Sequence, residues 1–122
     1  MEREILGLIE KVKIKGYEIM GLVDTGARRC SIDRELAEKL NLGPILTQRR
    51  YRSAHGRSIR PVIEEEITLK GIKKKVKINL TNRKHMKYEF LIGREALRNG
   101  FLIDPNKGLI EKKRKRNEIS NY

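Results

Sequence analysis

The 122-residue sequence has little of what disulfide-linked, membrane-spanning or zinc-binding proteins require. It contains one Cys, two His and no Trp. A single Cys excludes an internal disulfide framework, which agrees with a reducing compartment, and no apolar run approaches the length of a membrane span. The first four residues, Met1-Glu2-Arg3-Glu4, do not have the pattern of a signal peptide. We therefore expect a cytoplasmic protein with no membrane partner.

Acidic residues are scarce relative to basic ones. The 29 Lys and Arg residues outnumber the 16 Asp and Glu residues, which gives a formal net charge of +13. Partners are therefore expected to be acidic, such as an acidic peptide, a nucleic acid or an anionic surface. Nucleic acid is an alternative that the sequence does not favour. Only four Tyr and two Phe are available for stacking, and no RNP-like, zinc-knuckle or helix-turn-helix signature is present.

The length and the hydrophobic pattern predict one mainly β domain with two short helices. Alternating apolar and charged residues predict a strand over 4–15 and a return strand over 17–23, with a second hairpin over 62–80. Asp33 is the expected N-cap of the first helix, and the second helix is expected over 95–99.

The chain is predicted to divide into a domain over residues 1–110 and a basic C-terminal tail over 111–122. A strand is still expected at Leu109-Ile110, at the end of the domain, and the tail contains five consecutive basic residues. The charged fraction of 37% is typical of thermophilic proteins.

The candidate catalytic residue is Asp24, at the end of the strand over 17–23. The strand runs directly into Asp24-Thr25-Gly26, so an acidic side chain is delivered to a loop, where we expect Gly26 to adopt a backbone angle that other residues resist. Asp24 is therefore a candidate acid or base. The alternative is that Asp24 only caps a turn through its side chain.

Three segments together resemble the retropepsin-like aspartic proteases. They are Asp24-Thr25-Gly26-Ala27 after a hydrophobic strand, Phe90-Leu91-Ile92-Gly93-Arg94 before a short helix, and Phe101-Leu102-Ile103-Asp104-Pro105. The resemblance extends from about residue 19 to residue 110, in the right order. With Arg28 after Ala27, the pattern is most similar to the RimB-like group of putative ATP-dependent zinc proteases. Some members are associated with removing glutamate tails added by ATP-grasp ligases.

This resemblance implies a retropepsin-like closed β-barrel or sandwich with a single lobe. It also implies a homodimer in which Asp24 of each subunit activates water for peptide-bond hydrolysis, because an aspartic protease needs two carboxylates and each chain has one Asp-Thr-Gly. Thr25 would hydrogen-bond across the dimer and Gly26 would supply backbone contacts to the substrate. Gly93 and Arg94 would give structural support.

Substrate contacts are expected around Ala27 and Arg28 and from the segment over 48–60, which occupies the position of the retropepsin flap. That segment carries five Arg and no acidic residue, and guanidinium groups bind carboxylates bidentately. Retroviral members have an Asp where this chain has Arg28, and that Asp pairs with the Arg of the Gly-Arg segment. Arg28 cannot pair with Arg94, so it is free to accept a glutamate side chain. The candidate substrate-binding residues are Ala27, Arg28, Arg52, His55 and Gly56.

No cofactor and no metal site are predicted. Cys30, His55 and His85 are the only Cys and His residues, and their spacing does not match that of metal ligands. Cys30 is expected to be a small core residue rather than a nucleophile. The sequence predicts an aspartic endopeptidase acting on acidic, glutamate-rich peptides. The alternatives are a catalytically inert dimeric binding module of the same fold and a basic nucleic-acid-binding protein.

Overall fold

The computed structural model describes residues 3–53 and 56–107, which form nine strands and two short helices. This confirms the predicted mainly β class. His55, the strand predicted at Leu109-Ile110 and the predicted tail over 111–122 lie outside the described residues. The elements in chain order are β1 (Glu4–Leu6), β2 (Ile9–Ile14), β3 (Tyr17–Val23), β4 (Cys30–Asp33), α1 (Arg34–Lys39), β5 (Ile45–Ser53), β6 (Gly56–Leu69), β7 (Ile72–Thr81), β8 (Phe90–Ile92), α2 (Arg94–Leu97) and β9 (Phe101–Ile103).

The predicted closed barrel is confirmed, and its six strands follow the order β2-β3-β8-β4-β7-β6. The barrel closes where β6 pairs with β2, through Lys13 opposite Thr68 and Ile14 opposite Ile67. Alternate residues of each strand point inward, and the fully buried side chains include Ile14, Ile67 and Phe90. Among the described residues, no helix is long and apolar enough to cross a membrane.

Two tight turns set the register of the barrel hairpins. Lys15-Gly16 joins β2 to β3, and Lys70-Gly71 joins β6 to β7. All four residues have positive φ angles, between 48° and 82°, as a two-residue type I′ turn requires. The sequence-based placement of both hairpins is therefore confirmed.

The prediction of a single strand over 4–15 is wrong in one respect, because the strand is interrupted at Gly7. The side chain of Glu10 accepts a hydrogen bond from the Gly7 N–H at 2.6 Å, which turns the backbone between β1 and β2. β1 then pairs in parallel with β9 rather than with β3, with Ile5 opposite Leu102. The cause is a pairing with a segment near the other end of the chain, which local alternation does not reveal.

β5 and the first part of β6 form an antiparallel arm, which we call the β5–β6 arm. Its pairs run from Gln48 opposite Pro61 to Ser53 opposite Gly56. β6 is 14 residues long, and its second part pairs with β7 inside the barrel. The same strand therefore belongs to both the arm and the barrel.

The buried carboxylate of Asp33 joins α1 to the end of β7. Asp33 Oδ2 accepts from the Leu36 N–H at 3.2 Å, which confirms the predicted N-cap, and Oδ1 accepts from the Arg83 N–H at 2.8 Å. Asp33 is 2% exposed. Its loss would leave two backbone donors without partners.

We expect Asp33→Ala to destabilise the protein by about 2–4 kcal/mol, from a lost cap and an unsatisfied buried donor. Glu38→Ala is the matched control, because Glu38 is an exposed acidic residue on the same helix, and it should change stability by less than about 0.5 kcal/mol. Urea unfolding of the two variants measures the difference. Equal effects would show that Asp33 has no such role.

Candidate active site

The Asp24 loop is held by backbone hydrogen bonds at the end of β3. The Asp24 N–H donates to the Ile92 carbonyl at 3.0 Å, and the Ala27 N–H donates to the Asp24 carbonyl at 3.2 Å. The Gly26 N–H donates to Asp24 Oδ1 at 2.8 Å. Because one carboxylate oxygen is fixed by the loop, the half-buried carboxyl group has a defined orientation.

Gly26 does not adopt the unusual backbone angle that we expected, because its φ lies outside the left-handed region. Its role in the loop comes from close approach instead. A Cβ atom at this position would lie 3.2 Å from Asp24 Oδ1. A larger residue would therefore crowd the carboxylate that the Gly26 N–H binds.

The start of α2 supports this loop from the other side. The Arg94 N–H donates to the Ala27 carbonyl at 2.8 Å, and the Glu95 N–H donates to the Arg28 carbonyl at 3.0 Å. Gly93 is needed for the approach, since a Cβ atom there would lie 2.3 Å from the carbonyl oxygen of Arg29. The predicted supporting residues Gly93 and Arg94 are thus placed directly against the candidate catalytic loop.

Arg28 and Arg94, which cannot pair with each other, have separate partners in the structure. Arg94 Nη1 donates to the Thr25 carbonyl at 2.9 Å. Arg28 Nε lies 3.3 Å from Glu95 Oε2, and Arg29 Nε lies 3.9 Å from Glu95 Oε1. Glu95 therefore lies within ion-pair distance of two neighbouring arginines, whereas Arg94 hydrogen-bonds to the exposed tip of the loop.

A basic cavity of about 280 Å³ begins at Ala27, three residues after Asp24. Among the described residues that line it, none is acidic. The β5–β6 arm contributes two of its arginines, so the arm lies beside the Asp24 loop. The four cationic lining residues are Arg28, Arg29, Arg50 and Arg60.

Ser31 and Asn79 complete the described lining of the cavity. They are paired neighbours on β4 and β7. The sequence analysis did not single out Arg29 or Asn79 as site residues. One sequence feature could have identified Asn79 as a site residue: it is the polar residue within the apolar segment Ile78-Asn79-Leu80.

Of the remaining predicted substrate-binding residues, Arg52 and Gly56 lie on the β5–β6 arm, whereas His55 lies outside the described residues. Arg52 pairs across the arm with Arg57, and Gly56 is the first residue of β6. The arm arginines that line the cavity are Arg50 and Arg60 rather than Arg52. Arg52 shares a face of β5 with Arg50 but lies two residues nearer the tip of the arm, which places it about 6–7 Å further along the strand.

Arg83 carries a further positive charge near the candidate catalytic residue. Burial lowers the pKa of the Arg83 guanidinium, while the negative charges of Asp24 and Asp33 act in the opposite direction. Arg83 Nε donates to the Tyr88 carbonyl at 3.2 Å. Within residues 3–53 and 56–107, no three His, Cys, Asp or Glu side chains are grouped so as to hold a metal ion.

The barrel and the Asp-Thr-Gly loop define a retropepsin-like aspartic protease fold. The solution structure of the simian foamy virus (mac) protease is similar, with a TM-score of 0.59 and 16% identity over 73% of this chain and 90% of that one. A family described as "Retropepsin-like aspartic endopeptidase RimB" matches residues 31–114. The chain therefore belongs to the RimB-like family, and the resemblance seen in the sequence is confirmed.

Other similar proteins either have no stated function or share only a short segment with this chain. The crystal structure of Lpg0085, a protein of unknown function from Legionella pneumophila, matches with a TM-score of 0.62 and 25% identity over 84% of this chain and 93% of that one. Two proteins named "Probable alpha-L-glutamate ligase", from Shewanella pealeana and Shewanella halifaxensis, are 41% and 40% identical over 63 residues. The match covers 51% of this chain but only 14% of each of those proteins.

Cys30 is buried in the barrel, where it is fully inaccessible, and this confirms its expected place in the core. Burial raises the pKa of the Cys30 thiol to about 12. The thiolate is the reactive form of cysteine, so a buried thiol with this pKa is inert at neutral pH.

We expect Cys30 to resist a thiol reagent at pH 8 in the folded protein and to react once guanidinium unfolds the chain. The native state also retains the thiol proton where the unfolded chain loses it, so this residue should make stability fall as pH rises from about 9 towards 12. Subtracting the pH dependence of Cys30→Ala isolates its contribution. Rapid modification of the folded protein would contradict the burial argument.

Proposed function

We propose that the protein is a homodimeric aspartic endopeptidase that cleaves acidic, glutamate-rich peptides. The observation that carries the proposal is the Asp24 carboxylate, which is oriented by the Gly26 N–H in a loop braced by α2. A cavity lined by four arginines begins in the same loop. A catalytic carboxylate and a site for anionic side chains are therefore adjacent.

The two Asp24 carboxyl groups of a dimer would share one proton. The ionised group removes a proton from water, and the water oxygen attacks the scissile carbonyl carbon, while the protonated group donates its proton to the carbonyl oxygen. When the tetrahedral intermediate collapses, the C–N bond breaks and the nitrogen takes up a proton. The products are a carboxyl group and an amine.

A second copy of the chain is proposed because one chain supplies only one Asp-Thr-Gly. Two features are consistent with self-association. Thr25 is exposed at the tip of the catalytic loop. Ile5 and Leu102, which are neighbours across β1 and β9, are 46% and 51% exposed and leave apolar surface available. A two-fold dimer would use the same surface of both subunits.

The acidic substrate is proposed from the charge of the cavity and of the whole chain. Arginine side chains bind carboxylates through paired, charge-assisted hydrogen bonds, and a net charge of +13 attracts anionic peptides over longer distances. The shared segment in proteins named as probable α-L-glutamate ligases also links this domain to glutamate. We therefore take α-linked oligoglutamate as the substrate to test.

We expect Asp24→Asn to reduce cleavage of an α-linked glutamate peptide by about 10²- to 10⁴-fold or more, because the general acid and base are lost. Asp104→Asn is the matched control, since Asp104 accepts from the Asn106 N–H in a turn and an Asn can do the same. The assay follows peptide products across acid to neutral pH. If Asp24→Asn cleaves as well as the unaltered protein, the catalytic assignment is wrong; binding without cleavage by either protein favours the inert module.

A mixing experiment tests the dimer. If each active site needs Asp24 from both subunits, about nine equivalents of Asp24→Asn protein should reduce the activity of one equivalent of unaltered protein to about a tenth, through random pairing. An equal excess of the Asp104→Asn protein should not inhibit. Undiminished activity in the first mixture, under conditions where labelled subunits are seen to exchange, would rule out a shared site.

A further inference from the structure

We propose that Arg29 and Asn79 form a subsite that recognises one glutamate residue of the substrate. In this subsite Arg29 binds the glutamate side-chain carboxylate, and Asn79 Oδ1 accepts a hydrogen bond from a peptide N–H of the same ligand. The proposal rests on the proposed function and assigns its substrate specificity to two buried residues that the sequence analysis did not identify.

Arg29 is a buried cation with spare hydrogen-bonding capacity. Its side chain is 8% exposed, and Nη1 has no hydrogen-bond partner. The contact with Glu95 is made through Nε at 3.9 Å, so it does not use Nη1. A buried donor on a charged group is costly when unpaired. A carboxylate entering the cavity that Arg29 lines would supply the missing acceptor.

Asn79 lines the same cavity and has an unpaired acceptor, where Arg29 has an unpaired donor. It is 5% exposed, and Oδ1 has no hydrogen-bond partner. A carboxylate cannot satisfy this atom, because an ionised carboxylate has no proton to donate. A ligand that offers a donor as well as an anion would satisfy both buried atoms, and a peptide offers its backbone N–H. The two buried atoms together favour an amino acid within a chain over a simple anion.

Charge distinguishes glutamate from glutamine at this subsite. A glutamine side chain could hydrogen-bond to both Arg29 and Asn79, because it has an acceptor and a donor. However, Arg28 and Arg29 share the single carboxylate of Glu95, so this pair of cavity-lining arginines keeps a net positive charge. That charge favours the carboxylate over the neutral amide. The volume of about 280 Å³ is near the lower limit for small-ligand sites, which suits one side chain.

Arg29 contributes more than Arg28 to glutamate recognition at this subsite, for two reasons. The Arg28 side chain is 67% exposed, so solvent screens its charge, whereas the Arg29 side chain is 8% exposed. Arg28 Nε is also the closer of the two to Glu95, at 3.3 Å. Arg28 therefore contributes at the mouth of the cavity, and Arg29 forms its buried wall.

The test measures binding rather than cleavage, so that it does not depend on catalysis. Calorimetry on Asp24→Asn protein compares end-blocked tri-glutamate with tri-glutamine peptide. Adding Arg29→Gln should weaken tri-glutamate binding by about 10- to 100-fold, as expected for loss of a hydrogen bond between charged groups, and should affect tri-glutamine much less. Adding Arg34→Gln, at an exposed arginine outside the cavity, removes the same net charge and should leave both affinities unchanged.

Asn79→Asp provides a second variant that should fold even if Arg29→Gln does not. It places a carboxylate in the cavity, where Arg29 can pair with it, and should weaken tri-glutamate binding by about 10-fold or more through like-charge repulsion. Thermal unfolding identifies variants that are folded. Unchanged selectivity for glutamate in either folded variant would overturn the proposal.

The outcomes also separate this inference from the proposed function. If the unaltered protein cleaves glutamate peptides but Arg29→Gln and Asn79→Asp retain full selectivity, the function stands and the subsite is wrong. If selective binding depends on Arg29 and Asn79 but no peptide is cleaved at any pH, the subsite stands and the endopeptidase proposal falls.

Discussion

The candidate active site depends on one set of contacts, between the loop after β3 and the start of α2. Backbone hydrogen bonds join Asp24 to Ile92, Ala27 to Arg94 and Arg28 to Glu95. They require close approach, which only a residue without a side chain at position 93 allows. Because these contacts involve the main chain, a change of side chain at position 28 would leave the hydrogen bonds that hold the loop in place.

Glu95 has a separate electrostatic role in the same region. It lies within ion-pair distance of both Arg28 and Arg29, so it offsets part of the positive charge next to the cavity. A single carboxylate between two guanidinium groups stabilises them without neutralising both. The arrangement keeps a buried arginine in place in the folded chain and leaves a net attraction for an anionic ligand.

The sequence predicted those features that local chemistry determines. Alternation identified the hairpins, and Asp33 was recognised as a helix cap. The break at Gly7 was missed because it depends on pairing between β1 and β9. Arg29 and Asn79 were missed because their proximity follows from the parallel register of β4 and β7, which joins distant parts of the chain.

The length of β6 links the shape of the cavity to the barrel wall. Because one continuous strand forms part of both, each residue added to or removed from the arm section would move its far end by about 3.3 Å and exchange the two faces of the strand. Changes of two residues leave the remaining side chains on their original faces of the strand, whereas changes of one residue reverse the faces. The length of the arm therefore controls which side chains reach the cavity, while the hydrophobic interior of the barrel stays the same.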